Sequence, residues 1–207
     1  IRAGTTDSIA AFFACGITEL GMAVTSLGST LVLKLLSRTR VESPEHGIYS
    51  HRCGDLWLVG GASNCGGKTL EQIFGRARLA ALSSQLKPDQ PTGLDYYPLP
   101  APGERFPVNA PALAPRLEPR PADDAIYLQG LLESLARIES HGYRLLEQLG
   151  APPLRAILTA GGGANNAAWT KIRAREIGVP VTAAPRTEAA HGAARLAMLG
   201  EKIFRSS

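Results

Sequence analysis

The sequence predicts an α/β domain in which a mixed sheet is flanked by helices, on the strength of three observations. Residues 156–203 alternate a strand over 156–160, a helix over 166–177, a strand over 179–183 and a helix over 188–203, the order that lays helices against a sheet. Residues 22–36 carry Val, Thr and Leu on both sides of Gly28-Ser29-Thr30, which reads as two short strands joined by a hairpin. Residues 122–149 line up Leu128, Leu131, Leu132, Leu135, Ile138 and Leu145 on one helical face, and a stripe at that spacing faces a core.

The other elements follow from local chemistry. Residues 7–18 start a helix, because Thr6 or Asp7 can cap it and the run behind them is apolar and compatible with a helix. Residues 49–60 form one further strand, whose run Leu56-Trp57-Leu58-Val59 ends in glycines. Leu70, Ile73, Phe74, Ala77, Ala80 and Ala81 recur at helical spacing, which predicts one helix within 64–86. Ten of the fifteen prolines fall between 88 and 121, and they forbid regular structure there. A disordered linker and an ordered excursion both satisfy the prolines. Tyr96, Tyr97, Leu99, Phe106 and Leu113 favour the excursion, since a solvated linker has no use for such anchors.

The chain of 207 residues, 44% apolar, can fill one core. Its 22 basic and 18 acidic residues leave a net charge of +4 with no long run of one sign. That mild excess suits anionic small molecules such as nucleotides, and the basic residues are not interleaved with aromatics as a nucleic-acid surface requires. Cys15, Cys53 and Cys65 lack CxxC spacing, and His46, His51, His141 and His191 are scattered. Neither a disulfide framework nor a metal site is expected. A reducing compartment follows, the cytoplasm or, in a plant, the plastid stroma. The apolar stretch 9–17 is too short to cross a bilayer, so no membrane partner is expected. The start at Ile1-Arg2-Ala3 without a Met suggests a piece cut from a longer chain; the oligomeric state is not set by the sequence.

Glycines 161–163 sit between a strand and a helix, where bare backbone can approach a flat or anionic ligand closely. The same pattern suits a tight turn with Trp169 in the core. At this point a resemblance becomes specific. GGGANNAAWTKIRAREIGVPV (161–181), followed by Glu188-Ala189-Ala190-His191-Gly192-Ala193-Ala194, resembles the adenosine-binding segment of FGGY carbohydrate kinases. Three further segments resemble the same family: Ala3-Gly4-Thr5-Thr6-Asp7-Ser8, Thr25-Ser26-Leu27-Gly28-Ser29-Thr30-Leu31, and Gly60-Gly61-Ala62-Ser63-Asn64-Cys65-Gly66-Gly67. The order of motifs agrees over nearly the whole chain, and the likeness is to ribulokinase-like and xylulokinase-like members of the cyanobacterial and plant type.

The resemblance implies an actin-like, ribonuclease-H-like ATPase domain that uses ATP and Mg²⁺ to phosphorylate a sugar hydroxyl, on a ketopentose such as D-ribulose or D-xylulose. Asp7 is the implied catalytic base, a carboxylate able to accept the proton of the attacking hydroxyl. Gly28, Ser29 and Thr30 are the implied contacts to the β- and γ-phosphates, and Gly162, Gly163, Asn166 and Trp169 those to adenosine. Leu79 is a candidate apolar wall for adenine, and Glu188 and Gly192 are structural positions; Lys68, read from the sequence by itself, could reach a phosphate but fits a solvated face better. Asp7 and Trp169 are expected to face one cleft. An N-terminal domain carrying the first phosphate loop, the Mg²⁺-binding acid and most sugar contacts is absent from these 207 residues, so the piece alone is expected to be inactive. Two other readings stay open: a nicotinamide dinucleotide module, since Gly161-x-Gly163-x-x-Asn166 nearly matches GxGxxG, and a non-catalytic nucleotide-binding fragment.

Overall fold

Period-two alternation builds the sheet that everything else is hung on. In β2 (Leu31–Ser37), Leu31, Leu33 and Leu35 enter one core and Leu36 the other, because successive side chains leave a strand on opposite faces. The computed structural model describes residues 5–199, with Asp7, Ser8 and Leu199 described by backbone alone. Its strands are β1 (Met22–Leu27), β2, β3 (Tyr49–Cys53), β4 (Leu56–Ser63), β5 (Ala156–Ala160) and β6 (Val181–Ala183). They lie in the order β3-β4-β2-β1-β5-β6. β1, β2, β4 and β3 pair antiparallel, while β5 joins β1 in parallel and β6 joins β5 in parallel, so the sheet is mixed as expected.

Helices cover both faces. α1 (Asp7–Ala14) and α6 (Ala189–Leu199) pack on one, where Phe12, Phe13, Val24, Leu36 and Leu58 form a core. Gly192 lets the two helices touch: a Cβ there would meet the Ala10 carbonyl oxygen at 1.7 Å. On the other face lie α2 (Gly67–Phe74), α3 (Arg76–Ser83), α4 (Asp124–Gln148) and α5 (Ala167–Ile177) with the larger core.

Three elements differ from expectation, the first being α1, which ends at Ala14 and not at residue 18, with Gly16 at φ 83° just beyond it. The strand over 49–60 is a hairpin, because Gly54 adopts φ 60° and lets Gly54-Asp55 turn the chain so that Cys53 faces Leu56. The helix within 64–86 is broken at Gly75, whose φ of 72° and ψ of 154° end α2 and start α3. The expected helix residues 200–203 lie outside the described residues.

The proline-rich stretch is an ordered excursion. Tyr96, Leu99 and Phe106 are buried, and Tyr97 and Leu113 pack partly buried against the same core. It wraps the far side of α4, which is therefore buried around most of its circumference rather than along one stripe. Polar α4 positions there satisfy excursion backbone: Gln129 Nε2 donates to the Gln90 carbonyl at 2.6 Å, and Ser134 Oγ accepts from the Tyr96 amide at 3.0 Å. Thr92 donates to Glu133 with both its amide and its hydroxyl.

A buried ion pair joins four elements. Arg173 (α5) forks onto Glu139 (α4) with Nε–Oε2 and Nη2–Oε1 both at 2.6 Å, and neither residue is more than 1% exposed. Glu139 Oε1 also accepts from Thr25 Oγ1 (β1) at 2.5 Å, and Arg173 Nη1 donates to Thr159 Oγ1 (β5) at 2.6 Å. Breaking such a pair leaves one charge without its counter-ion in the interior. Arg173→Met is expected to lower unfolding free energy by about 3–5 kcal/mol in urea titrations, and Arg173→Met with Glu139→Leu to regain at least half of it.

Lys34 is a second buried charge. It is 7% exposed, its Nζ has no hydrogen-bond partner among the described residues, and it sits 4.0 Å from the centre of the Tyr49 ring. Burial pushes its pKa down from 10.5 to about 8, against an upward pull from Cys53. The unfolded chain thus keeps this proton up to about pH 10.5 while the folded one releases it near pH 8, so the Lys34 contribution to stability rises with pH across that window. Lys34→Met should accordingly be more stable than the parent at pH 7 by ~2 kcal/mol, with the gap closing by pH 10. Taking the difference between the two proteins cancels the buried thiol of Cys15, whose pKa shifts upward, while Cys53, which interacts with Lys34, is pushed by burial up to about 12 and stays protonated across that window.

Candidate functional site

Two loops meet where β1 and β5 end. Ser26 pairs with Ala160 at the last rung of the parallel ladder, so the hairpin turn 28–30 leaves one strand beside the glycine loop that leaves the other. Gly161, at φ 83°, backs directly on β1: a Cβ there would lie 2.6 Å from the Leu27 carbonyl oxygen. Gly163 is closed in as well, with its Cβ position 2.6 Å from Trp169 Cζ3 and 2.7 Å from Leu27 Cβ. Gly162 has nothing within 4 Å of that position and is exposed. The loop is therefore held on two sides with its middle residue open to a ligand.

The hairpin turn is held from behind by the start of α2. Gly67 N donates to the Gly28 carbonyl at 2.8 Å and Lys68 N to the Ser29 carbonyl at 3.3 Å. Only glycine fits at position 66, where a Cβ would lie 2.6 Å from Ser29 O and 2.7 Å from Thr30 Cα. Gly28 and Ser29 are exposed and Thr30 is half-buried. Lys68 is exposed beside them on the first turn of α2.

Asn166 and Trp169, the contacts to adenosine that the resemblance implies, are both tied into the fold. Asn166 caps α5, its Oδ1 accepting from Trp169 N at 3.0 Å, while its Nδ2 donates to Ser83 Oγ of α3 at 3.0 Å. Both polar groups of the side chain are thus used inside the fold. Trp169 is 5% exposed, part of the main core, and lies under Gly163, with an indole Nε1 that has no partner among the described residues. Physically the two residues shape the loop from below. Ser83 Oγ in turn donates to the Leu79 carbonyl at 2.7 Å, so α3, and half-buried Leu79 with it, is fastened to the glycine loop.

Asp7 is the first residue of α1, after Thr6 at the N-cap; its side chain lies outside the described residues. α1 belongs to the opposite face of the sheet from α3 and Trp169. Among the described residues no three His, Cys, Asp or Glu side chains converge, so these residues offer Mg²⁺ no cluster of ligands. Cys65 is fully buried, and burial foremost, then the nearby Glu104, pushes its thiol up and away from the reactive thiolate.

Ser83 and Glu104 hold the two loops and carry no sequence signal. Ser83 lies 83 positions from the Asn166 it bonds, and Glu104 lies 41 from Ser63. Gly66 and Gly67 lie in the glycine-rich segment 60–67, and Leu27 in the segment 25–31, that resemble the family.

If Asn166 fixes the loop as its contacts indicate, Asn166→Ala should remove both the α5 cap and the link to α3. Thermal or urea unfolding should report a loss of about 1–2 kcal/mol. Asn166→Asp, which keeps the cap oxygen, should lose less.

The sequence comparison is specific. Residues 23–201 match the model of the FGGY family of carbohydrate kinases, C-terminal domain. A xyloylose kinase from Brucella ovis superposes with a TM-score of 0.80 at 25% identity, over 94% of this chain and 42% of that one. The xylulose kinase from Bifidobacterium adolescentis gives 0.74 at 25% identity, over 91% and 38%. Plasmodium falciparum glycerol kinase with ADP, at 14% identity, shares the fold with a TM-score of 0.70, over 97% of this chain and 45% of that one. The chain thus spans about two fifths of the length of these kinases. No helix among the described residues is long and apolar enough to cross a membrane. With its mixed sheet, covered faces and paired loops, the chain belongs to the FGGY family of carbohydrate kinases, in the part of that family that forms the C-terminal domain of the actin-like ATPase fold.

Proposed function

We propose that this chain supplies the nucleotide side of an ATP-dependent sugar kinase that phosphorylates a hydroxyl of a ketopentose such as D-ribulose or D-xylulose. The observation that carries this reading is the apposition of the exposed turn 28–30 and the open Gly162 at the ends of two paired strands. A phosphate chain and a nucleoside need just such neighbouring stretches of approachable backbone. The xyloylose and xylulose kinases among the similar structures support the sugar class, and the glycerol kinase with ADP supports the nucleotide.

In this reading the amides and hydroxyls of Gly28, Ser29 and Thr30 hold the β- and γ-phosphates. Gly162 and Gly163 lie along the adenosine, with Asn166 and Trp169 shaping their loop and Leu79 forming an apolar wall beside the base. Asp7 takes the proton of the sugar hydroxyl as its oxygen bonds to the γ-phosphorus and the bond from that phosphorus to the bridging oxygen of ADP breaks. Its position at a helix N-terminus favours the ionised carboxylate. The sugar contacts, and the acid that holds Mg²⁺, belong to the N-terminal domain of the family. Mg²⁺, when bound, supplies neutralisation of the phosphate charge. Closure of the two domains would exclude water, so that phosphate passes to sugar and not to solvent.

With that domain present, Asp7→Asn should lower sugar-dependent ADP release by about a hundredfold to ten-thousandfold and leave ATP affinity near that of the parent. Full turnover by the variant would remove Asp7 as the base. An ATP titration followed by tryptophan fluorescence tests the nucleotide site by itself; tight NAD binding with no response to ATP would reject the kinase reading.

A further inference from the structure

Glu104, in the middle of the proline-rich excursion, is a carboxylate in an expensive place. It is 2% exposed, and no Lys, Arg or His among the described residues forms an ion pair with it. Burial of an unpaired carboxylate is tolerated only where donors surround it. Five do: Ser63 Oγ at 2.6 Å and Tyr97 Oη at 3.2 Å reach Oε2, while Asn64 N at 2.7 Å, Arg105 N at 2.9 Å and Phe106 N at 3.4 Å reach Oε1. Using both oxygens, the carboxylate joins the excursion to the end of β4 in a way that an apolar side chain or a single hydroxyl cannot.

The residues it grips lead to the phosphate turn in a few bonds. Ser63 Oγ also accepts from Cys65 N at 3.0 Å, and Asn64 Nδ2 donates to the Gly103 carbonyl at 2.9 Å. The bend 63–65 is thereby held at both its ends. Gly66, Gly67 and Lys68 follow without a gap, and these are the residues whose backbone rests against Gly28, Ser29 and Thr30. A shift of the bend would be passed on to the turn through the Gly67 and Lys68 amides, which donate to the Gly28 and Ser29 carbonyls at 2.8 and 3.3 Å.

We propose that Glu104 is a positioning residue for nucleotide phosphate: through Ser63 and Asn64 it sets the Gly66–Lys68 backbone, and through that the Gly28–Thr30 turn. The excursion is then part of the phosphate site, acting through Ser63 and Asn64. This rests on the reading of 28–30 as the phosphate contact, and adenosine, which carries no phosphate, separates the two claims.

The test compares ATP and adenosine affinity by calorimetric titration of the full chain and of Glu104→Gln, which keeps the shape and loses one acceptor oxygen. ATP affinity should fall about fivefold or more, the scale of one lost hydrogen bond, with adenosine affinity unchanged. Amide exchange at Gly67 and Lys68, the donors to the turn, should speed up in the same variant. Equal weakening of both ligands, as a general loss of structure would cause, overturns the proposal, and so does no change in either. If the parent binds adenosine and ATP equally, the turn is not a phosphate site and the proposal falls with that reading. Should Glu104→Gln fail to fold, Ser63→Ala and Tyr97→Phe each remove one donor and are held to the same ATP-against-adenosine criterion.

Discussion

The Arg173–Glu139 pair is the constraint on which the rest of the architecture turns. Thr25 and Thr159 face each other across the parallel ladder of β1 and β5, and each bonds to a different member of the pair. A slip of one residue along that ladder would carry one threonine to the other face of the sheet and strand a charge. The pair need not be a large net source of stability, because two ions must first be stripped of water. Its effect is on register. Register at Thr25 and Thr159 decides which residues emerge at the strand ends, and those are the turn 28–30 and the loop 161–163.

A second consequence concerns the long helix. Arg173 and Glu139 place α5 beside α4 from within, and the excursion fastens α4 from the other side through Gln129, Glu133 and Ser134. Glu133 shows how a carboxylate survives there: burial pushes its pKa up, but bonds from Thr92, Gln129 and Arg175 pull harder, and the net shift is downward. The helix thus carries polar groups on a buried flank, each matched to a backbone group of a segment that cannot form a ladder of its own because of its prolines. Irregular chain can be buried only when its amides and carbonyls find such partners.

The candidate site inherits its shape from these supports. Glycine is required at 66, 161 and 163 by contacts measured in fractions of a side-chain radius, whereas Gly162 faces open space. Three glycines in a row look equivalent along the chain, and the fold gives them different tasks. Asn166 and Trp169, which the resemblance implies as ligand contacts, are both committed to the interior. Their influence on a bound nucleotide runs through the loop they hold.

Much was legible from the residues alone. Alternation and helical spacing are local, so β1, β2, β5, α4 and α5 could be drawn within a residue or two, and the apolar anchors of the excursion marked it as ordered. The hairpin at Gly54-Asp55 and the break at Gly75 do not show in the sequence because a lone glycine leaves the pattern around it unbroken: Leu56-Trp57-Leu58-Val59 reads as one strand with the residues before Gly54, and Leu70 to Ala81 keep helical spacing across Gly75. Motif order was enough to identify the family. What only the tertiary structure decided is which distant groups meet: Thr25 with Glu139, Ser83 with Asn166, Ser63 with Glu104. Those contacts join positions 41 to 114 apart. Periodicity says which way a side chain leaves its own element, and only the packed chain says what stands opposite.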